Sequence, residues 1–273
     1  MSKKKVLIVT QEMQPYTALS EVAAIARKLP QYVQENGMEI RVLMPRFGTI
    51  NERRHRLHEV VRLSGMNIIV NQDDFPLIIK VASLQEARMQ VYFLDNEDFF
   101  KRKSIFLDED GVPFEDNSDR MVFFCKGVIE TVKKFGWPPD IVHCHGWMTS
   151  LIPLYLKKAY KTEPLFQQSK VIYSAYKNEI DAIGSTEAFV DKAKIKNLEN
   201  GDLKPFQSGE GLGLHEGAVA YADGVILGSN ELDTSVHAAI EDFSKPVLAY
   251  EEETAFSSYV EFYNQFLTKE VEE

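Results

Sequence analysis

His143 and His145 stand two positions apart in the run Asp140-Ile141-Val142-His143-Cys144-His145-Gly146-Trp147-Met148-Thr149. Strand side chains alternate between faces, so the two imidazoles would share one face and Cys144 would take the other. Two imidazoles on one face could begin a metal site. A tetrahedral site needs further ligands, however, and the remaining histidines offer no matching spacing, so no metal is expected. Two other roles stay open for the pair. His143 is a hydrogen-bonded core residue and His145 covers the next helix start, or His145 is a polar contact for a ligand. Trp147 offers an aromatic face for a ligand, against the alternative of a core tryptophan.

Other chemistries find less support. The apolar run Lys5 to Thr10 is followed by Gln11-Glu12-Met13-Gln14-Pro15. With no glycine there, the pyrophosphate turn of a dinucleotide fold cannot form. Gly209-Glu210-Gly211-Leu212-Gly213 is glycine-rich but follows no convincing strand and reads as a flexible connection. A Gly-x-Ser-x-Gly nucleophile motif is absent. No cofactor is expected. From Arg53 to Arg62, bases alternate with His55, His58 and Glu59 just after Glu52, which reads as a solvated loop or helix face.

The elements that would position these residues follow from periodicity. Lys5 to Thr10 is a β-branched-rich strand, apolar enough to be covered on both faces and central in a parallel sheet. Leu19, Val22, Ala26, Leu29 and Val33 form one stripe of a helix from Ala18 to Asn36, with Thr17 as cap, Gly37 as stop and Pro30 expected to kink or divide it. Glu39 to Met44 completes a β-α-β unit. Met66 to Val70, Leu77 to Ala82 and Met89 to Leu94 read as a β-meander at the sheet edge. A helix capped by Asn117 or Ser118 runs to Phe135 and stops at Gly136. Then come a strand at Asp140 to His145, a helix from Met148 to Tyr160 and a strand at Lys170 to Ser174. After a polar stretch, Lys177 to Gln207, follow a helix at Leu212 to Tyr221, a strand at Gly224 to Leu227, a helix from Asn230 to Phe243, a short strand at Val247 to Tyr250 and a tail helix. The fold class is α/β: one doubly wound, mostly parallel sheet with about six or seven parallel strands and a β-meander excursion, in a single domain over residues 1–273, with an acidic tail fraying from about 268. Its ligand site belongs at the carboxyl ends of the strands.

The totals agree with an ordinary globular protein. The 273 residues are 44% hydrophobic and 26% charged, with a net charge of -10 and two cysteines. That charge disfavours nucleic acid and anionic membranes as partners. The apolar run after Met1-Ser2-Lys3-Lys4-Lys5 is too short for a signal peptide, and two cysteines support no disulfide framework, so a cytoplasmic location is expected.

Within this frame Pro139 to Thr149 resembles the Pro-Asp-Ile-Val-His-x-His-Asp-Trp-x-Thr segment of glycogen and starch synthases. Asp116-Asn117-Ser118-Asp119-Arg120-Met121-Val122-Phe123-Phe124 resembles the family's Asp-Asn-x-x-Arg-Phe-x-x-Phe helix. Val6 to Thr10 with Glu12, Pro15 and Tyr16, then Arg41 to Gly48, resemble its opening. Gly217 with Tyr221-Ala222-Asp223 and Ser229 resembles a later strand and turn. The resemblance implies the Rossmann-like N-terminal half of a GT-B glycosyltransferase, without the C-terminal half. The family's reaction moves glucose from ADP-glucose or UDP-glucose to an α-1,4-glucan. It implies as partners an α-glucan or nucleotide sugar, and a separately encoded C-terminal half or a full synthase. Carried over by position, the substrate-binding residues are Glu12, Tyr16, Asn117, His145, Trp147, Thr149 and Ser229.

Departures from the pattern fall at strand ends. Pro15 to Val22 is shorter than the family's segment and lacks its Lys-Thr-Gly-Gly loop, whose lysine and glycine N–H groups meet the nucleotide phosphates. Gly146 replaces an aspartate, Ala175 stands near the place of an active-site histidine, and Gly228-Ser229-Asn230 lacks a proline. Catalysis by this chain alone is not expected. The alternative is a non-catalytic protein, derived from the synthase N-domain, that binds glucan or a partner.

Overall fold

The computed structural model describes residues 3–84, 87–177, 186–207, 212–251 and 256–267. The glycine-rich 209–211 and the acidic tail from 268 lie outside them.

β1 (Lys5–Thr10) is buried from Val6 onward, as a run apolar on both faces requires. The chain then forms α1 (Glu21–Glu35), β2 (Glu39–Pro45), the single turn α2 (Glu52–His55) and the short β3 (His58–Glu59). β4 (Met66–Val70), β5 (Asp73–Leu84) and β6 (Met89–Asp95) follow, then the turn α3 (Glu97–Phe100), α4 (Asn117–Phe135) and β7 (Ile141–His145). α5 (Leu151–Leu154), β8 (Lys170–Ala175), α6 (Thr186–Ala193), α7 (Leu214–Tyr221), β9 (Gly224–Leu227), α8 (Thr234–Glu241), β10 (Val247–Leu248) and α9 (Phe256–Leu267) complete the order.

The sheet runs β10-β9-β8-β7-β1-β2-β6-β5-β3, with β4 paired to β5. From β10 to β6 all neighbours are parallel, while β5, β3 and β4 pair antiparallel. The chain leaves β1 outward to β2 and β6, then returns to β7 on the other flank of β1. Direction therefore reverses between β1 and β7, and a doubly wound sheet opens its ligand crevice at such a point, beyond the carboxyl ends.

Two aspartates fix the other end of the sheet. Asp140, just before β7, accepts from the backbone N–H of Lys5 at 2.8 Å. Asp223, just before β9, accepts from the N–H of Val171 at 2.7 Å and from Lys157 at 2.5 Å. Each carboxylate satisfies an N–H at or next to the start of the neighbouring strand.

Several expectations need correction. α1 begins at Glu21, because Ser20 caps it while the Thr17 hydroxyl takes the N–H of Met13. Pro30 does not divide it; the proline is buried within one continuous helix. The expected helix from Met148 to Tyr160 is instead a 3-10 turn (Trp147–Thr149), α5 and a π turn (Tyr155–Ala159). Pro153 inside this stretch has no N–H to give the preceding turn. The helix expected from Asn230 starts at Thr234 after Asp233. The polar stretch before Gln207 contains α6.

α9 lies against α1 and sends the hydroxyl of Tyr263 into the core, 2.6 Å from Nδ1 of His143. Both residues are fully buried. Tyr263→Phe leaves that imidazole nitrogen without a partner where water cannot replace it. The expected loss is about 1–3 kcal/mol of unfolding free energy, read from urea denaturation; an unchanged midpoint would mean that the bond carries nothing.

Candidate functional site

At the carboxyl ends of β1 and β7, Gln11, Glu12, Leu19, Phe106, Gly146, Trp147, Tyr176 and His215 help to line a crevice of only ≈ 50 Å³. The chain fills the rest itself. The Gln11 amide oxygen accepts from the N–H of Met148 at 3.3 Å, bridging the exits of β1 and β7. Gly146 has φ 82° and ψ 164°, a backbone region essentially restricted to glycine. A Cβ there would lie 2.3 Å from the Gln11 amide oxygen. The family's aspartate therefore cannot occupy this backbone, and Gln11 holds the space such a side chain would need.

Glu12 is fully buried. Its carboxylate accepts from the N–H groups of Leu19 at 2.5 Å and Ser20 at 3.0 Å, and from the Ser20 hydroxyl at 2.5 Å. These donors belong to the segment that leads into α1, where unpaired N–H groups and the helix dipole favour an anion. Glu12 supplies that anion from within the chain.

On β7 the two imidazoles lie side by side with centroids 3.8 Å apart and planes tilted by 41°, on one face as the alternation requires. His143 is satisfied at both nitrogens, by Tyr263 and, at 2.7 Å, by the Ser174 hydroxyl. His145 is bonded at Nδ1 to the Tyr176 hydroxyl at 2.8 Å, while its buried Nε2 has no partner among the described residues. Burial holds His145 down to about 3, and burial with the neighbouring imidazole holds His143 well below its ordinary value. His215, at the start of α7, meets the Tyr173 hydroxyl at 2.7 Å, and burial lowers it to about 4. All three are neutral at pH 7. Among the described residues no group of three or more His, Cys, Asp or Glu side chains could hold a metal ion.

The other residues carried over from the sequence are largely engaged inside the protein. Asn117 donates to the carbonyl of Phe106 at 2.9 Å and accepts from Arg120 at 2.7 Å. Arg120 also donates to the carbonyls of Phe99 and Ile105, and burial lowers it to about 10. Thr149 donates to the Gly146 carbonyl at 2.8 Å. Ser229 accepts from the N–H of Lys177 at 2.9 Å and donates to Glu21 on α1. Trp147 packs on Phe106 at 4.8 Å and borders the crevice. Tyr16 lies away from it, edge-on to Phe93 and His55, its hydroxyl raised by burial to about 12. The structure thus brings Glu12 and Trp147 to one crevice and places Tyr16 elsewhere. Sequence reasoning did not select Gln11, Tyr176 and His215. For Gln11 the signal was present, since it directly follows the central strand.

A model of the starch synthase catalytic domain matches residues 5–238. The chain belongs to this family. It is a glycogen/starch synthase-related protein. It is 40% identical over 173 residues to the glycogen synthase of Pelodictyon phaeoclathratiforme, covering 63% of this chain and 35% of that one. With the glycogen synthase of Chlorobaculum tepidum it shares 37% over 186 residues, 68% of this chain and 38% of the other. The chain thus spans little more than a third of the length of these relatives. The catalytic domain of Starch Synthase IV from Arabidopsis thaliana, solved with ADP and acarbose, superposes with a TM-score of 0.73. At 17% identity over 91% of this chain and 51% of that one, this shows the shared fold. The expected α/β fold class, with its parallel sheet and edge meander, is the observed one. Among the described residues, no helix of this synthase-type domain is long and apolar enough to cross a membrane.

Neutral buried histidines make stability depend on pH. Unfolded, each takes a proton near 6.5; folded, His215 and His145 do so only near 4 and 3. The unfolded state therefore binds more protons below 6.5, and stability falls as pH drops from 6.5 towards those values, by at most about 1.4 kcal/mol per pH unit for each histidine. The urea midpoint is expected to drop between pH 7.5 and 5.5. His215→Gln should flatten that slope by about half a proton averaged over this interval, and an unaltered slope would contradict this.

Proposed function

We propose that this chain is a non-catalytic member of the starch synthase family, serving α-glucan metabolism by binding glucan or a complete synthase rather than by transferring glucose itself. The observation that carries the reading is the shortened Pro15 to Val22 segment, which turns its Leu19 and Ser20 donors onto the Glu12 carboxylate where the resemblance places a phosphate-binding loop. A nucleotide sugar would bring its own negative charge to donors already neutralised, beside a carboxylate with no room to withdraw. The crevice of ≈ 50 Å³ adds to this, since sites for molecules of that size run to about 300–1,000 Å³. Ala175, buried at the end of β8, supplies no imidazole to that crevice. A glucan contact would fall to Trp147 at the crevice edge, where an aromatic edge meets polar neighbours.

The competing reading is a transferase that becomes active once a separately encoded C-terminal half joins this chain. Incubation of the purified protein with ADP-glucose or UDP-glucose and a glycogen primer is expected to incorporate no glucose. Incorporation by the chain alone, or after addition of a C-terminal synthase domain, would overturn the proposal.

The role given to Glu12 has its own test. Glu12→Ala leaves three donors without their acceptor and is expected to cost about 2–4 kcal/mol in urea denaturation. Inorganic phosphate should restore part of that stability in the variant and change the parent protein little. Equal responses to phosphate would show that Glu12 does not stand in for an anion.

A further inference from the structure

A second concavity, ≈ 770 Å³, lies on the flank of the domain, between α1, the segment after β1, and the α2–β3 segment. Arg54, Arg56, His55, His58 and Tyr16 are among its lining residues, and none of the described lining residues is acidic. This is unusual in a chain with 41 acidic and 31 basic side chains. Elsewhere the cations near the same loops are neutralised. Arg46 pairs with Glu52, Lys80 with Glu52 and Asp95 at 2.7 and 2.8 Å, and Arg102 with Asp116 at 2.5 Å.

The local backbone explains why the cavity keeps its charge. Glu52 opens α2 but is committed to Arg46 and Lys80. Arg54 follows half a turn later, and Arg56 ends α2 in a left-handed conformation at φ 54°. Neither arginine forms an ion pair with a described residue. On β3, His58 lines the cavity, while its neighbour Glu59, on the opposite face by strand alternation, does not. Tyr16 and His55 meet edge to face at 5.0 Å and give the cavity an aromatic wall. Burial, and after it the charge of Arg54, depresses the His55 imidazole. A concave site lined by cations of one sign concentrates anions, and guanidinium forks match phosphate oxygens.

We propose that this cavity binds a small phosphomonoester, with Arg54 and Arg56 holding the phosphate and the Tyr16–His55 wall packing on the organic part. The volume suits a sugar phosphate or a nucleoside monophosphate and exceeds what inorganic phosphate needs. The site is distinct from the crevice at β1 and β7, so the inference does not rest on the proposed loss of catalysis.

Calorimetry on the full chain tests it, with a hexose 6-phosphate, adenosine 5′-monophosphate, inorganic phosphate and glucose as probes. At least one of the two esters is expected to bind with a submillimolar Kd, and which one does so identifies the organic part. Glucose should not bind, and inorganic phosphate should bind at least tenfold more weakly than that ester. Binding should weaken as NaCl is raised. In the double variant Arg54→Ala/Arg56→Ala affinity should fall at least tenfold, while Arg53→Ala, on the same turn but outside the cavity, should leave it unchanged. All three arginines sit on one exposed turn, so thermal unfolding of each variant serves as the control for folding. Failure of both esters to bind, an unaltered affinity in the double variant, or inorganic phosphate binding as tightly as the better ester would each overturn the proposal.

Discussion

The parallel pairing of β1 with β7 sets the terms for the rest of the molecule. From Val6 onward on β1 and throughout β7 the side chains are buried, so the polar groups they carry look for partners inside the protein. β7 carries two histidines, and their needs reach far along the chain. His143 draws in Tyr263 from the last described helix and Ser174 from the next strand, and His145 draws in Tyr176 just beyond it. Two segments distant in sequence, the end of β8 and α9, are thereby tied to one strand. The same pairing decides where a crevice can open.

At that crevice the electrostatics are inverted relative to an anion-binding site. The donors leading into α1 are met by a carboxylate from the chain, and the exits of β1 and β7 are bridged by the Gln11 amide. Tyr176 reinforces the closure from the next strand, its ring lying where a side chain on Gly228 would need to be, with 2.4 Å to a Cβ built there. The flank of the domain shows the opposite arrangement, cations gathered in a concavity without described carboxylates. Anion affinity is a matter of which donors are already spoken for, and by that measure the two concavities differ in sign.

Much of this was legible in the sequence because buried parallel strands leave a strong mark. The apolar runs at β1, β2, β8 and β9 gave their places within a residue or so, and the two-residue spacing of His143 and His145 gave their common face. Less legible were features decided by competition between neighbours. Thr17 and Ser20 are equally good caps by type, and what separates them is that Thr17 is already bonded to Met13. Trp147 to Ala159 has helical spacing, but its hydrogen bonds divide among three helix types around Pro153. The closure of the crevice depended on a side-chain position, that of Gln11, which no periodicity encodes. Arg53 to Arg62 read as a solvated face because alternating charges usually are one; that Glu52 and Glu59 turn away from the bases they accompany is a property of the fold.

Asp140 and Asp223 belong to two of the segments by which the chain resembles its relatives, and both act as rivets at the amino ends of strands, on the opposite edge of the sheet from the crevice. Side chains that hold a strand in register are under selection for as long as the domain folds, whatever happens at the other edge. A signature built partly from such residues tracks ancestry and architecture, and it would persist unchanged in a descendant whose chemistry had been exchanged for another task.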